Sequence, residues 1–259
     1  MSAMAKGVDP KSLTVLVTGA TSGFGEAVCR RYAAAGACVI ATGRRAARLA
    51  KLKKELGRRC HTIVLDARDR KATQKAFASL PKEFARIGVV VANAGLALGL
   101  EPAHQARLED WEQMVATNIT GLLYTVRTVL PGMVARDEGH VVLIGSVAAD
   151  YPYPGGNVYG ATKAFVKQFA LNLRADLLGS NVRVTNIEPG LAETEFSLVR
   201  FKGDAGKAGL PYKGLLPLTA DDVAESVYWA TLLPRHVNVN RLQLMPVMQA
   251  FGPFSFKRA

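Results

Sequence analysis

Val15-Leu16-Val17-Thr18-Gly19-Ala20-Thr21-Ser22-Gly23-Phe24-Gly25 is the stretch that decides how this chain folds. An apolar, β-branched run feeds straight into glycines, and a helical pattern follows from Glu26 to Ala35. A strand, a tight turn and a helix in that order aim the helix's first N–H groups at one point, where a phosphate is held. Gly19 permits the turn, Gly23 lets backbone approach a ligand, and Gly25 permits close helix packing. The spacing is Gly-x-x-x-Gly-x-Gly, not the Gly-x-Gly-x-x-Gly of the general dinucleotide fingerprint. An ordinary strand–helix loop would also accept it, so the rest of the chain must decide.

Ala37-Cys38-Val39-Ile40-Ala41-Thr42 reads as the second strand. An NAD site would place an acidic residue about 20 positions past the glycines, on the ribose hydroxyls. Here the strand runs into Gly43-Arg44-Arg45, two cations with no carboxylate. Guanidinium forks suit a 2′-phosphate, which favours NADP over NAD. The competing reading is a basic surface helix, since Arg48, Lys51, Lys53 and Lys54 follow.

Further on, Val158-Tyr159-Gly160-Ala161-Thr162-Lys163 places a phenol and an ammonium four residues apart, on one helix face. A free tyrosine titrates near ~10 and is a poor base at neutral pH. A fixed lysine charge favours the phenolate and makes the tyrosine usable as an acid or base. Tyr-x-x-x-Lys alone is common on solvated helices. Ser146 upstream and the glycine turn give it company.

On these residues the chain resembles the short-chain dehydrogenase/reductase family from about residue 12 onward. Gly19 through Gly25 is similar to its cofactor loop, with Thr21, Ser22, Gly23 and Phe24 as contacts. Asn93-Ala94-Gly95 resembles its strand-four motif, and Asp66-Ala67 its adenine site. Asn118, Ser146, Tyr159 and Lys163 resemble its catalytic tetrad, and Pro189-Gly190 with Thr194 its nicotinamide loop. Longer stretches resemble the NADP-dependent 3-hydroxy acid dehydrogenases, which oxidise serine or allo-threonine and reduce malonic semialdehyde. These are Gly95-Leu96-Ala97-Leu98-Gly99 through His104, Val158 through Phe165, and Glu188-Pro189-Gly190-Leu191 through Asp204. Two departures stand out: one asparagine rather than two in Val91-Ala92-Asn93, and Ala67 where a β-branched residue is common. Neither touches the tetrad.

The resemblance implies a mechanism. Tyr159 takes the hydroxyl proton while hydride leaves the carbon for the nicotinamide, and Ser146 holds the same oxygen. Lys163 depresses the tyrosine pKa and binds the nicotinamide ribose, Asn118 holds a relay water, and Thr194 orients the carboxamide. Asn118 also reads as a helix cap at an interruption, Thr117-Asn118-Ile119-Thr120-Gly121.

The expected fold class is α/β: a single doubly wound Rossmann-type domain over residues 13–259, with a parallel seven-stranded sheet flanked by helices. Strand–helix alternation argues for it, and buried parallel strands explain the apolar runs Leu13–Val17, Val89–Val91 and Val141–Ile144. Strands are expected near 13–18, 37–42, 60–65, 87–92, 140–146, 182–188 and 241–245. The main helices are expected over 23–35, 45–56, 69–80, 108–135, 159–178 and 219–233. Residues 1–12 are polar and read as a loose extension rather than a secretory signal. The long irregular segment 191–217 reads as a lid over substrate and nicotinamide.

A 259-residue chain that is 49% hydrophobic can bury a full core. The low-charge run Ile87 to Leu100 is too short to span a membrane. Three cysteines without Cys-x-x-Cys suggest reduced thiols in a cytoplasmic protein. His61, His104, His140 and His236 show no metal-ligand spacing, so no metal is expected. Net charge is +12, yet the basic residues from Arg44 to Arg59 lack the interleaved aromatics of a nucleic-acid platform. NADP and small carboxylates are anions that the same field would steer. A homotetramer is expected, helices 108–135 and 159–178 pairing across a two-fold axis as in the family. For a substrate carboxylate, Arg200, Lys202 and Lys213 are the cations at hand, Arg200 and Lys202 first. Reduction of other carbonyls (ketone or 3-oxoacyl) stays open. So does a non-catalytic NADP sensor, although Tyr159 and Lys163 are both retained.

Overall fold

The structure is a computed structural model and describes residues 6–252. Its strands are β1 (Thr14–Thr18), β2 (Cys38–Gly43), β3 (Cys60–Val64), β4 (Val89–Ala92), β5 (Gly139–Ile144), β6 (Val182–Pro189) and β7 (Arg241–Leu244). They form a seven-stranded sheet in the order β3-β2-β1-β4-β5-β6-β7, with every pairing parallel. The helices are α1 (Gly23–Ala34), α2 (Ala46–Leu56), α3 (Arg70–Ala78), α4 (Leu108–Val115), α5 (Leu122–Ala135), α6 (Asn157–Asp176), α7 (Phe196–Arg200), α8 (Ala205–Gly209) and α9 (Ala220–Leu232). The winding reverses between β1 and β4, and ligands bind beyond the carboxyl ends of strands at such a point.

Side chains alternate across a strand, and the core divides along that alternation. Val15, Val17, Val39, Ala41, Val89 and Val91 pack with Val28, Leu49 and Val227 of α1, α2 and α9. Leu16, Ile40, Val90, Val141 and Leu143 pack with Phe77, Val126 and Val166 of α3, α5 and α6. With both faces covered, the central strands must be apolar at nearly every position. That is why β1, β4 and β5 are buried end to end.

Three segments differ from the sequence expectation. The helix over 108–135 is α4 and α5 joined by a π-helical turn, Ala116–Gly121. Such turns concentrate at functional sites, and this one buries Asn118. The 191–217 segment is not irregular: it holds α7, α8 and the helical turn Leu210–Tyr212. Its base is fastened, Leu218 N–H donating to Leu191 O at 3.0 Å and Glu193 N–H to Leu218 O at 2.9 Å. Residues 8–12, just ahead of β1, are held rather than loose. Val8 N–H donates to Leu232 O at 2.9 Å, and Asp9 caps the turn Pro10–Ser12 through Lys11 N–H. The expectations for residues 1–5 and 253–259 lie outside the described residues. No helix among the described residues is long and apolar enough to cross a membrane. None of their His, Cys, Asp and Glu side chains are grouped so as to hold a metal ion.

Candidate active site

The chemistry collects at the carboxyl end of the sheet, around a cavity of about 400 Å³. Its walls are the β1–α1 turn, the ends of β4, β5 and β6, and the 191–217 segment. Gly19 and Gly23 adopt φ of +67° and +53°, backbone that side chains rarely tolerate. A Cβ on Gly25 would stand 2.5 Å from Gly19 O, so α1 approaches the turn only with glycine there. Ser22 precedes α1 without a side-chain cap bond, leaving the helix's first N–H groups for an anion.

Asn93 braces this turn. Its Nδ2 donates to Thr18 O at 2.8 Å and Gly19 O at 3.3 Å. Thr18 Oγ1 accepts from the N–H groups of Asn93 and Ala94, at 3.1 and 3.0 Å. The single asparagine therefore spends its side-chain amide on the protein, while Ala94 and Gly95 line the cavity beside it. Backbone donors over a floor of glycine fit a dinucleotide pyrophosphate.

Ser146, Tyr159 and Lys163 meet at the cavity's inner end. Ser146 follows β5, and its Oγ accepts from Ala148 N–H at 3.1 Å and lies 3.5 Å from Pro189 O. Tyr159 and Lys163 share a face of α6, one turn apart. The buried Lys163 ammonium donates to Ile144 O at 2.8 Å, and burial pulls its pKa down to about 8. Burial pushes the Tyr159 phenol up to about 12, Tyr153 adding to the rise while Arg200 and the Ser146 hydroxyl oppose it. The expected action of Lys163 on that phenol is thus not what the geometry delivers. Its Nζ lies 5.8 Å from the ring centroid, turned to a strand carbonyl, whereas the Arg200 guanidinium carbon lies at 5.0 Å. Arg200 is the charge that lowers the Tyr159 phenol in this arrangement.

Asn118 is largely committed. Its Oδ1 accepts from Leu96 N–H at 2.9 Å, and its Nδ2 donates to Leu96 O at 2.8 Å and Thr162 Oγ1 at 3.0 Å. Both amide protons are used, so only an acceptor lone pair remains for a relay water. Its visible work is to pin the loop after β4 against α6.

The substrate end is ringed by side chains of the 191–217 segment. Arg200 Nη2 donates to the Tyr153 hydroxyl at 2.8 Å, and its guanidinium carbon lies 5.2 Å from the Phe196 ring centroid. Its Nε is buried with no hydrogen-bond partner. Lys202 needs correcting as a substrate residue. It follows α7 at φ +53° and its ammonium pairs with Asp110 at 2.7 Å, away from the cavity lining. Sequence reasoning missed Tyr153. The signal was there: an aromatic in Tyr151-Pro152-Tyr153-Pro154, between Ser146 and Tyr159, where proline forbids helix.

The nicotinamide loop is held from below. Glu188, fully buried, accepts from Arg241 through both carboxylate oxygens at 2.8 Å and from Asn186 Nδ2 at 2.6 Å. Gln249 Oε1 accepts from Leu191 N–H at 2.8 Å, and a Cβ on Gly190 would come within 2.3 Å of that oxygen. Pro189, Gly190 and Thr194 line the cavity, and Thr194 lies against Gly23.

Other expected contacts flank the cavity rather than line it. Thr21, Arg44, Arg45, Asp66 and Ala67 are not among its lining residues. Asp66 accepts from Arg68 Nη2 at 2.6 Å; Arg68 holds its carboxyl below the usual range, and Arg44 adds to the effect. Ala67 backs Gly121 of the π-turn. Arg44 is exposed, whereas Arg45 turns back to the glycine turn, its Nε donating to Thr21 Oγ1 at 2.9 Å.

Residues 13–203 match the short chain dehydrogenase family. The chain is 57% identical over 247 residues to the NADP-dependent 3-hydroxy acid dehydrogenase YdfG of Escherichia coli K12, covering 95% of this chain and 100% of that one. It is 54% identical over 245 residues to the serine 3-dehydrogenase of Agrobacterium fabrum, covering 95% and 98%. A solved structure, "The Closed form of serine dehydrogenase complexed with NADP+", superposes with a TM-score of 0.92 at 57% identity, covering 95% of this chain and 100% of that one. The matched span takes in the glycine turn together with Ser146, Tyr159 and Lys163, and the chain belongs to the short chain dehydrogenase family.

Proposed function

We propose that this protein is an NADP-dependent oxidoreductase interconverting 3-hydroxy acids and their carbonyl counterparts. The class is that of serine, L-allo-threonine, 3-hydroxyisobutyrate and 3-hydroxypropionate with malonic semialdehyde. The observation that carries the reading is Arg200, a guanidinium facing the Tyr159 ring with a buried Nε that has no partner. A donor left unpaired in such a place costs stability unless a ligand takes it. A carboxylate two carbons from the reacting hydroxyl fits the short span between Arg200 and Tyr159. The relatives named above support the same class and the same cofactor.

Bound NADP supplies the hydride acceptor for oxidation, and NADPH the donor for reduction. The chain's own residues do the rest. Arg200 and Tyr153 fix the acid end, and Ser146 holds the reacting oxygen by a hydrogen bond. Tyr159 exchanges the hydroxyl proton, its phenolate favoured by Arg200 and Ser146. Lys163, held by Ile144 O, keeps further N–H donors for ribose hydroxyls. Gly19, Ser22, Gly23 and Phe24 take the pyrophosphate, and Arg44 and Arg45 the 2′-phosphate.

The reading includes a reducing, cytoplasmic location, which the free cysteines Cys29, Cys38 and Cys60 suit. It also includes a homotetramer. Leu122, Val126, Val129, Val166 and Leu173 turn out to face the protomer's own sheet, but Val115, Val134 and Leu171 stay exposed on the helices expected to pair. Sedimentation showing a stable monomer at micromolar concentration would remove that element.

An NADP-coupled screen of L-serine, L-allo-threonine, 3-hydroxyisobutyrate, 3-hydroxypropionate and simple secondary alcohols tests the whole. The acids should be turned over far better than the alcohols. A preference for neutral alcohols or ketones would move the protein to general carbonyl reduction, and no turnover at all would favour an NADP sensor.

A further inference from the structure

Glu195 follows Thr194 in the cavity wall, and its carboxylate meets the arginines at the start of α2. Oε2 accepts from Arg45 Nη1 at 2.8 Å, and Oε1 accepts from Arg48 Nη1 at 2.6 Å. The same arginines are tied to the glycine turn. Arg45 Nη2 donates to Ser22 Oγ at 2.5 Å, and Arg48 Nη1 donates to Thr21 O at 3.2 Å. Each side chain in this bridge is more than a third exposed, so as a stabilising device the bridge is weak. Its position is what matters. It neutralises guanidinium charge at the mouth where a 2′-phosphate would arrive, and Arg44 beside it takes no part.

Carboxylate and phosphate are alternative partners for the same guanidinium fork. A phosphate monoester brings a charge of about −1.5 to −2, and holding it beside an undisplaced carboxylate sets like charges together. We propose that Glu195 is a built-in competitor for the cofactor's 2′-phosphate, which must exchange with this carboxylate on Arg45 and Arg48 whenever NADP binds. The proposal rests on the reading that Arg44 and Arg45 receive that phosphate. Glu195 then sets how strongly the protein prefers NADP to NAD, and it speeds cofactor release by offering the arginines a replacement anion. NAD carries no 2′-phosphate and leaves the bridge intact.

Fluorescence titration of NADPH and NADH on the wild type, Glu195→Gln and the double variant Arg44→Ser/Arg45→Ser tests this without any substrate. Glutamine keeps size and polarity at a half-buried position, so folding is not at issue. Glu195→Gln should tighten NADPH by about three- to fivefold, the scale of removing an exposed charge contact, and leave NADH within about twofold. Stopped-flow displacement should show NADPH leaving correspondingly more slowly. Weaker or unchanged NADPH binding in Glu195→Gln, while the double variant still loses its NADPH preference, would overturn the competitor role alone. Loss of no preference in the double variant would overturn the cofactor reading beneath it.

Discussion

The Arg200 guanidinium carbon stands 5.0 Å from the centre of the Tyr159 ring, closer than the Lys163 ammonium at 5.8 Å. On the function proposed above, one charge serves both ends of a hydroxy acid: it offers N–H groups to the carboxylate and favours the phenolate that accepts the proton. Arg200→Ala should cost L-serine about 1.5–3 kcal/mol in kcat/KM, the scale of a hydrogen bond to a charged group, and cost a secondary alcohol much less. Lys202→Ala, which removes only the pair with Asp110 from a half-exposed lysine away from the cavity lining, serves as the control and should leave both substrates nearly untouched. Equal losses on acid and alcohol would reduce Arg200 to a general wall of the cavity.

The same variant should move the pH profile. Arg200 lowers the Tyr159 phenol against the burial that raises it, and the balance stands at about 12. Without Arg200 the pKa climbs further, so oxidation, which needs the phenolate, should begin to rise at higher pH. Reduction needs the phenol and should hold its rate further into alkali. A limb that stays in place when Arg200 is removed would mean another group governs the proton.

Tyr159→Phe deletes only the hydroxyl, and the ring keeps its contact with Phe196. Fold and NADP binding should survive while turnover falls by roughly 10²–10⁴-fold, the range of general acid–base assistance. Retention of more than about a tenth of the rate would exclude this tyrosine as the proton-transfer group.

The sheet and the place of Ser146, Tyr159 and Lys163 in the cavity were legible because each follows from local pattern. Strands covered on both faces read as apolar runs, and the glycines of the β1–α1 turn sit where positive φ or close approach demands them. What was illegible depends on where long side chains point. Tyr159 and Lys163 share a helix face by spacing, but only packing turns Lys163 towards Ile144 O and leaves Tyr159 to Arg200. Arg200 and Lys202 are equivalent as letters, yet the short helix α7 sends one into the cavity and the other to Asp110. That helix and α8 span five residues each, too few for any apolar period to show.

Replacing Arg44 and Arg45 together with serine should weaken NADP at least tenfold relative to NAD, about 1.4 kcal/mol. Arg44 should account for most of it, because Arg45 already has Thr21, Ser22 and Glu195 as partners. Initial-rate measurements with each cofactor decide, and an unchanged ratio would make both arginines surface charge.

Lys163 gives the last prediction, one about stability. Its ordinary pKa of 10.5 falls to about 8 because burial penalises the ammonium. For a cation held below its unfolded value, the cost to the fold is full below about pH 8, where both states are protonated. It shrinks as pH rises towards 10.5 and is gone above it. Two and a half pK units correspond to roughly 3 kcal/mol, and leaving Ile144 O unpaired takes back about 1. Lys163→Met should therefore stabilise the cofactor-free protein at pH 7 by about 1–3 kcal/mol, a Tm gain of several degrees, while abolishing turnover. The gain should be much smaller at pH 9.5. Thermal melts at both pH values are the measurement. A variant no more stable than wild type at pH 7, or one whose gain ignores pH, would show that the burial of Lys163 carries no charge penalty and that its pKa is not set as described.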